Sequence, residues 1–124
     1  MNNRLALIIE DDPDLSIIFA EALQAAEFET KIIQDGRVAL ACLAEDQPII
    51  VVLDLHLPHA SGGDILHLIR SEARLAQTRV IVTTADPLMA DSLQAEADLV
   101  LIKPISFSQL RDLAVRLRPP DIIG

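Results

Sequence analysis

Apolar residues fall in five short, nearly continuous runs along this chain, separated by longer stretches in which they recur at helical spacing. The clearest run is Ile50, Val51, Val52 and Leu53, closed by Asp54. An unbroken apolar run predicts a strand buried on both faces, because a strand with one wet face would alternate. Leu5 to Ile9 (LALII), Val80 to Thr83 (VIVT) and Leu99 to Ile102 (LVLI) read the same way. Glu29 to Ile33 (ETKII) is weaker and partly alternating, which suits a sheet edge.

The intervening stretches predict helices. Pro13 fits a first helical position with Asp12 as its N-cap, and Leu15, Ile18, Phe19, Ala22, Leu23 and Ala26 follow at helical spacing. Asp35 and Gly36 open a helix over Arg37 to Glu45, stopped by Pro48. Leu55 to Gly63 (LHLPHASGG) carries the punctuation of a loop, and a helix is expected over Asp64 to Arg74. Asp86 and Pro87 start a short, poorly patterned helix with Leu88, Met89 and Leu93. Ser106 caps the last helix, whose face is Leu110, Leu113, Ala114 and Leu117, and Pro119 and Pro120 end it.

Strand and helix thus alternate with no internal repeat and no linker, which makes a parallel sheet with right-handed crossovers and helices on both faces. The predicted fold class is α/β, a flavodoxin-like (βα)5 doubly wound parallel sheet. A Rossmann half is the other five-stranded solution, but the weak second strand belongs at an edge and favours the order 2-1-3-4-5.

In such a sheet, ligands bind just beyond the carboxyl ends of the strands. Glu10 and Asp11 follow the first strand, Asp54 the third, Thr84 the fourth and Lys103 the fifth. A lone Asp at a strand end is most often a turn residue, and capping alone accounts for Asp12; the convergence of the others is what points to chemistry. Only one of Thr83 and Thr84 can face the crevice, since side chains alternate across a strand. Two carboxylates about 4 Å apart repel by roughly 4 kcal/mol at an effective dielectric near 20. One lysine cannot balance three acids, so a divalent cation is implied. All-oxygen ligands suit Mg²⁺, which keeps waters and leaves room for a phosphate. Such a site fits phosphoryl transfer onto Asp54 as nucleophile, with Lys103 and Thr84 sharing the charge on the transferred group. His56, His59 and His67 invite a zinc reading, but no cysteine or second histidine pair completes the ligand set.

Composition narrows the function further. The 124 residues suit one domain, expected over 1–124, and no apolar run approaches a membrane span. A net charge of −9 argues against this domain gripping nucleic acid, and the absence of Trp and Tyr leaves little from which to build a flavin or base-stacking site. Cys42 is the only cysteine, expected buried and reduced, so a cytoplasmic location is the simpler inference.

IIEDDP at the first strand end, VVLDLHLPHASGGD around Asp54, VTTA at the fourth strand and LIKP at the fifth stand in the order and near the separations of a known family. Over essentially its whole length the chain resembles the receiver domain of two-component response regulators. The resemblance implies that Asp54 is the phosphoacceptor, that Glu10, Asp11, Asp54 and the His56 backbone carbonyl hold Mg²⁺, that Thr84 is the switch hydroxyl and that Lys103 binds the phosphate. The side chains of His56 and Asp86 fall where the family tunes the lifetime of its phosphate. A sensor histidine kinase or phosphotransfer protein is the implied donor, a downstream protein or fused effector domain the implied recipient, and a homodimer is compatible. On this reading the domain is no enzyme beyond its own phosphorylation and dephosphorylation. No effector domain lies within the chain, which suits a stand-alone receiver or a piece of a longer protein.

Two departures bear on the relay. Val100 stands where receivers carry Tyr or Phe, and the stretch from Ala85 to Asp98 is shorter than the family norm and lacks its Gly-Ala-Asp-Asp run. Alternative readings are a degenerate receiver acting as a phosphorylation-independent interaction module, and a flavodoxin or aspartate phosphatase on the same fold. Acids where a flavodoxin has a phosphate loop, and His56 where an aspartate phosphatase needs a second Asp, disfavour the last two.

Overall fold

Each apolar run becomes a strand in the computed structural model, which describes residues 4–119. The strands are β1 (Leu5–Ile9), β2 (Glu29–Ile33), β3 (Ile50–Asp54), β4 (Arg79–Thr84) and β5 (Leu99–Ile102), all parallel, in the order β2-β1-β3-β4-β5. Helices α1 (Pro13–Ala25), α2 (Gly36–Glu45), α3 (Gly62–Ser71), α4 (Pro87–Asp91) and α5 (Phe107–Leu117) alternate with them. The predicted fold class and strand order are those observed, with the polar β2 at one edge.

Alternation along the strands divides the core into two layers. Ala6, Ile8, Ile50, Val52 and Ile81 pack with Phe19, Leu23, Leu110 and Ala114 of α1 and α5. Leu7, Ile9, Val51, Leu53, Val80 and Val82 pack with Ala39, Leu43, Ile65, Leu66 and Ile69 of α2 and α3. β3 is buried throughout, as a central strand must be. β5 is apolar yet only half-buried, because it is the other edge and α4 is too short to cover it; Ile102 is 43% exposed.

The helix starts follow capping chemistry. Asp12 accepts from the N–H groups of Asp14 and Leu15, Asp35 from Arg37 and Val38, Asp86 from Leu88, and Ser106 from Gln109. Three expectations need correction. α3 begins at Gly62, because Ser61 accepts from the Asp64 N–H and caps it. It ends at Ser71 rather than continuing to Arg74, and a 3-10 turn over Ala73–Leu75 follows. Leu75 is off the apolar stripe of Ile65, Leu66 and Ile69; breaking the helix at the extended Glu72 turns Leu75 into the core, where it is 1% exposed. Cys42 is half-buried rather than buried, at the margin of the α2–α3 layer. Pro119 follows the end of α5, while Pro120 lies outside the described residues.

α4 is clipped to five residues. The turns after it are anchored by Arg70, which donates to the carbonyls of Thr78 (2.9 Å) and Glu96 (2.6 Å) and to Asp98 (2.8 Å). Asp98 also accepts from the Val80 N–H at 2.7 Å and from Arg79. This network ties the shortened segment to the start of β4, and nothing in the local pattern of the sequence marks it.

Candidate functional site: an acidic pocket at the carboxyl rim of the sheet

β1, β3 and β5 all end on one rim, with β4 between β3 and β5, and Glu10, Asp54 and Lys103 at or just past those ends come together there. The Lys103 Nζ lies 2.8 Å from Glu10 Oε1 and 3.5 Å from Asp54 Oδ1. Glu10 is 1% and Asp54 2% exposed, whereas Asp11 faces solvent. One oxygen from each of Glu10, Asp11 and Asp54 falls within 4.8 Å of the others. Asp54 Oδ1 accepts the His56 N–H at 3.1 Å, and Glu10 Oε2 accepts the Asp12 N–H at 3.2 Å. The Glu10 Oε1 contact with Lys103 is close enough for an ion pair but lacks hydrogen-bond alignment, so Oε1 is a buried acceptor with no hydrogen-bond partner among the described residues. That oxygen, ion-paired without an aligned hydrogen bond, in a set of three hard carboxylates with one ammonium between them, fits a divalent cation bound through oxygen.

The surrounding loop is held by close packing. Gly62 opens α3 beneath the end of β3, and a Cβ there would lie 2.4 Å from the Asp54 carbonyl oxygen, so a side chain has no room. The Gly36 N–H donates to the Pro58 carbonyl at 2.9 Å, and His59, at φ 70°, contacts the Asp35 carboxylate. His67 stands 3.5 Å from Glu96, apart from the His59–Asp35 contact. An open cleft of about 680 Å³ reaches the site, lined in part by Asp11, His56, Pro58, Ser61 and Met89.

The threonines divide as alternation requires. Thr84 lies on the face of Val80 and Val82, and its hydroxyl accepts the Asp86 N–H at 3.0 Å, which turns it into the β4–α4 corner. Thr83 lies on the opposite face with Ile81, in register with Asp54. Both are fully buried. Val100 packs against the α2–α3 layer, on the same face as Thr84.

Burial sets the electrostatics. It pushes the Glu10 carboxyl up to about 7; Lys103 pulls it down, and Asp54 adds to the rise. Burial likewise raises Asp54, against the lowering effect of Glu10, the His56 N–H and Lys103. For Lys103 burial acts downward, but Glu10 and Asp54 outweigh it and the ammonium is held above its ordinary value. Between pH 4.5 and about 7 the folded protein therefore binds a proton at Glu10 that the unfolded chain does not. That contribution to stability is complete below 4.5 and lost as pH rises through about 7. With divalent ions removed, the unfolding free energy from urea titration should fall between about pH 5 and about pH 7.5, by an amount on the order of 2 kcal/mol. Glu10→Gln should flatten that fall, and an unchanged slope in the variant would count against this assignment.

Comparisons with known proteins agree with the geometry. The family model of the response regulator receiver domain matches residues 6–115, and the chain belongs to that family. The DNA-binding response regulator MtrA of Mycolicibacterium smegmatis is 30% identical over 90% of the chain, which spans 48% of that protein. The chain thus spans about half the length of the curated regulators it matches. The signal receiver domain of the Luxo repressor protein from Vibrio parahaemolyticus superposes with a TM-score of 0.82 at 26% identity, covering 99% of this chain and 98% of that one. The response regulator TrrA of Thermotoga maritima, solved in complex with Mg²⁺ and BeF, has the same fold, with a TM-score of 0.82 at 24% identity over 93% of this chain and 99% of that one. Among the described residues no helix is long and apolar enough to cross a membrane.

The convergence of Glu10, Asp11, Asp54 and Lys103 was legible in the sequence. The direct pairing of Lys103 with Glu10, and the placing of Thr83 rather than Thr84 on the face of Asp54, were not. The alternation of VIVTT against IVVLD would have given the latter had the strand register been known.

Proposed function

We propose that this domain is a phosphoacceptor signalling module that takes a phosphoryl group from a histidine kinase or phosphotransfer protein onto Asp54. The reading rests on one observation: a buried Asp54 faces both an ammonium and two further carboxylates at the open rim of the sheet. Glu10, Asp11, Asp54 and the His56 carbonyl would hold Mg²⁺, the ion carried by the Thermotoga regulator. When bound, Mg²⁺ supplies positive charge to the oxygens of the transferring group.

The chain's own residues do the rest. The His56 N–H, bonded to Asp54 Oδ1, fixes the carboxylate plane for in-line attack. An Asp54 oxygen forms the new bond to phosphorus as the donor's bond to phosphorus breaks, and the leaving group departs with that electron pair. Lys103 turns from Glu10 toward the incoming phosphoryl oxygens, and Thr84 exchanges its Asp86 contact for one of them. The β4–α4 corner is thereby drawn in, and the change is relayed to a downstream protein or a fused effector domain. A cytoplasmic setting fits such partners, and the domain turns over no substrate beyond its own phosphate.

Val100 favours a second reading, a phosphorylation-independent interaction module, because a packed valine has no ring to move when Thr84 moves. Incubation with acetyl phosphate and Mg²⁺ separates the two. A mass gain of one phosphoryl group is expected, dependent on the metal; no gain would leave the interaction module standing.

A further inference from the structure

β4 carries a second hydroxyl at the site. Thr83 is fully buried, and its Oγ1 has no hydrogen-bond partner among the described residues. A buried hydroxyl without a partner is costly, and a valine of nearly the same shape would avoid the cost. Its position gives it a use. Thr83 is the register partner of Asp54 on the neighbouring strand, and both side chains stand on the α1–α5 face. Glu10 continues that face from Ile8, and Lys103 continues it from Leu101, the register partner of Thr83. Thr83 therefore stands one ladder spacing, about 4.8 Å between strands, from the residue that would carry the phosphate.

We propose that the Thr83 hydroxyl donates a hydrogen bond to the Asp54 oxygens in the transition state in which phosphate departs from them, and that it thereby sets the lifetime of the aspartyl phosphate. This inference rests on the function proposed above. In hydrolysis, water forms a new bond to phosphorus, and the bond between phosphorus and the Asp54 oxygen breaks. Its electron pair returns to the carboxylate, and inorganic phosphate leaves with the water's oxygen. Negative charge thus develops on the Asp54 oxygens as the bond opens, where a donor stabilises the transition state more than the acyl phosphate. In the resting domain the His56 N–H holds Asp54 Oδ1 and the Thr83 hydroxyl makes no hydrogen bond among the described residues; the two meet as the carboxylate turns about its soft terminal torsion while phosphate leaves. The donor lowers the barrier to hydrolysis and so shortens the phosphorylated state.

The test is the decay of phosphoryl mass from wild type, Thr83→Val and Thr83→Ser after loading with acetyl phosphate and removal of the donor. Thr83→Val should lengthen the half-life about threefold to tenfold, with a urea midpoint no lower than wild type, and Thr83→Ser should decay close to the wild-type rate. Equal half-lives in all three proteins, or a serine variant that decays like the valine variant, would overturn the inference while leaving Asp54 as phosphoacceptor. A wild type that takes up no phosphoryl group would overturn the function itself, and this inference with it.

Discussion

Asp54→Asn should take up no phosphoryl group from acetyl phosphate while folding at least as well as the wild type. The amide has the shape of the carboxylate but no anionic oxygen to attack phosphorus, so the loss is expected to be complete rather than graded. Folding should not suffer, because Asp54 is a burden to the metal-free fold. It is 2% exposed and shares its pocket with Glu10, and burial holds its carboxyl above the ordinary range. Removing one of two buried like charges should raise stability near neutral pH by about 1 kcal/mol. Lys103 keeps its 2.8 Å contact with Glu10. Mass spectrometry of the intact protein and urea denaturation at neutral pH give the two readings. Retained phosphoryl mass in the variant would place the acceptor elsewhere, and a marked loss of stability would mean that the carboxylate helps to hold the rim together.

Lys103→Met should slow phosphorylation about 10²-fold to 10³-fold, the usual cost of deleting one oriented donor to a transferring group. The methionine keeps most of the apolar length of the side chain, which matters because Lys103 is only 20% exposed. Mg²⁺ affinity should not fall with the rate. Lys103 is a competing cation for Glu10, and its removal frees the Oε1 that the structure leaves without a hydrogen bond. The two measurements together separate catalysis from metal binding, with the initial rate read by mass and the dissociation constant by calorimetry. A variant that phosphorylates at the wild-type rate would reduce Lys103 to a counterion for buried acids. One that loses rate and metal affinity together would make the lysine a structural part of the metal site.

Departures from the family pattern fall away from the reacting atoms. Val100, in place of an aromatic, lies on the Thr84 face, and Ile102 of β5 and Leu88 of the clipped α4 are exposed. Arg70 and Asp98 bind the turns after α4 to β4, so the segment has a defined course although α4 is only five residues long.

The strands and their alternation with helices could be read from the chain because burial on both faces demands unbroken apolar runs, and LALII, IVVL and VIVT have them. The edge position of β2 followed from ETKII for the same reason. Helix ends were less legible. Ser61 starts α3 earlier than the apolar stripe suggests, and the break at Glu72 answers to the space that Leu75 fills, which depends on neighbours distant in sequence. By itself the sequence determined which residues reach the carboxyl rim, since every strand delivers its terminal residue there. Tertiary structure alone decided what they do to one another: that Lys103 leans on Glu10, that Thr84 turns to Asp86 while Thr83 stands beside Asp54, and that Glu10 is raised to about 7. Strand order and register set those pairings, and burial sets their strength; both arise only when separate parts of the chain meet.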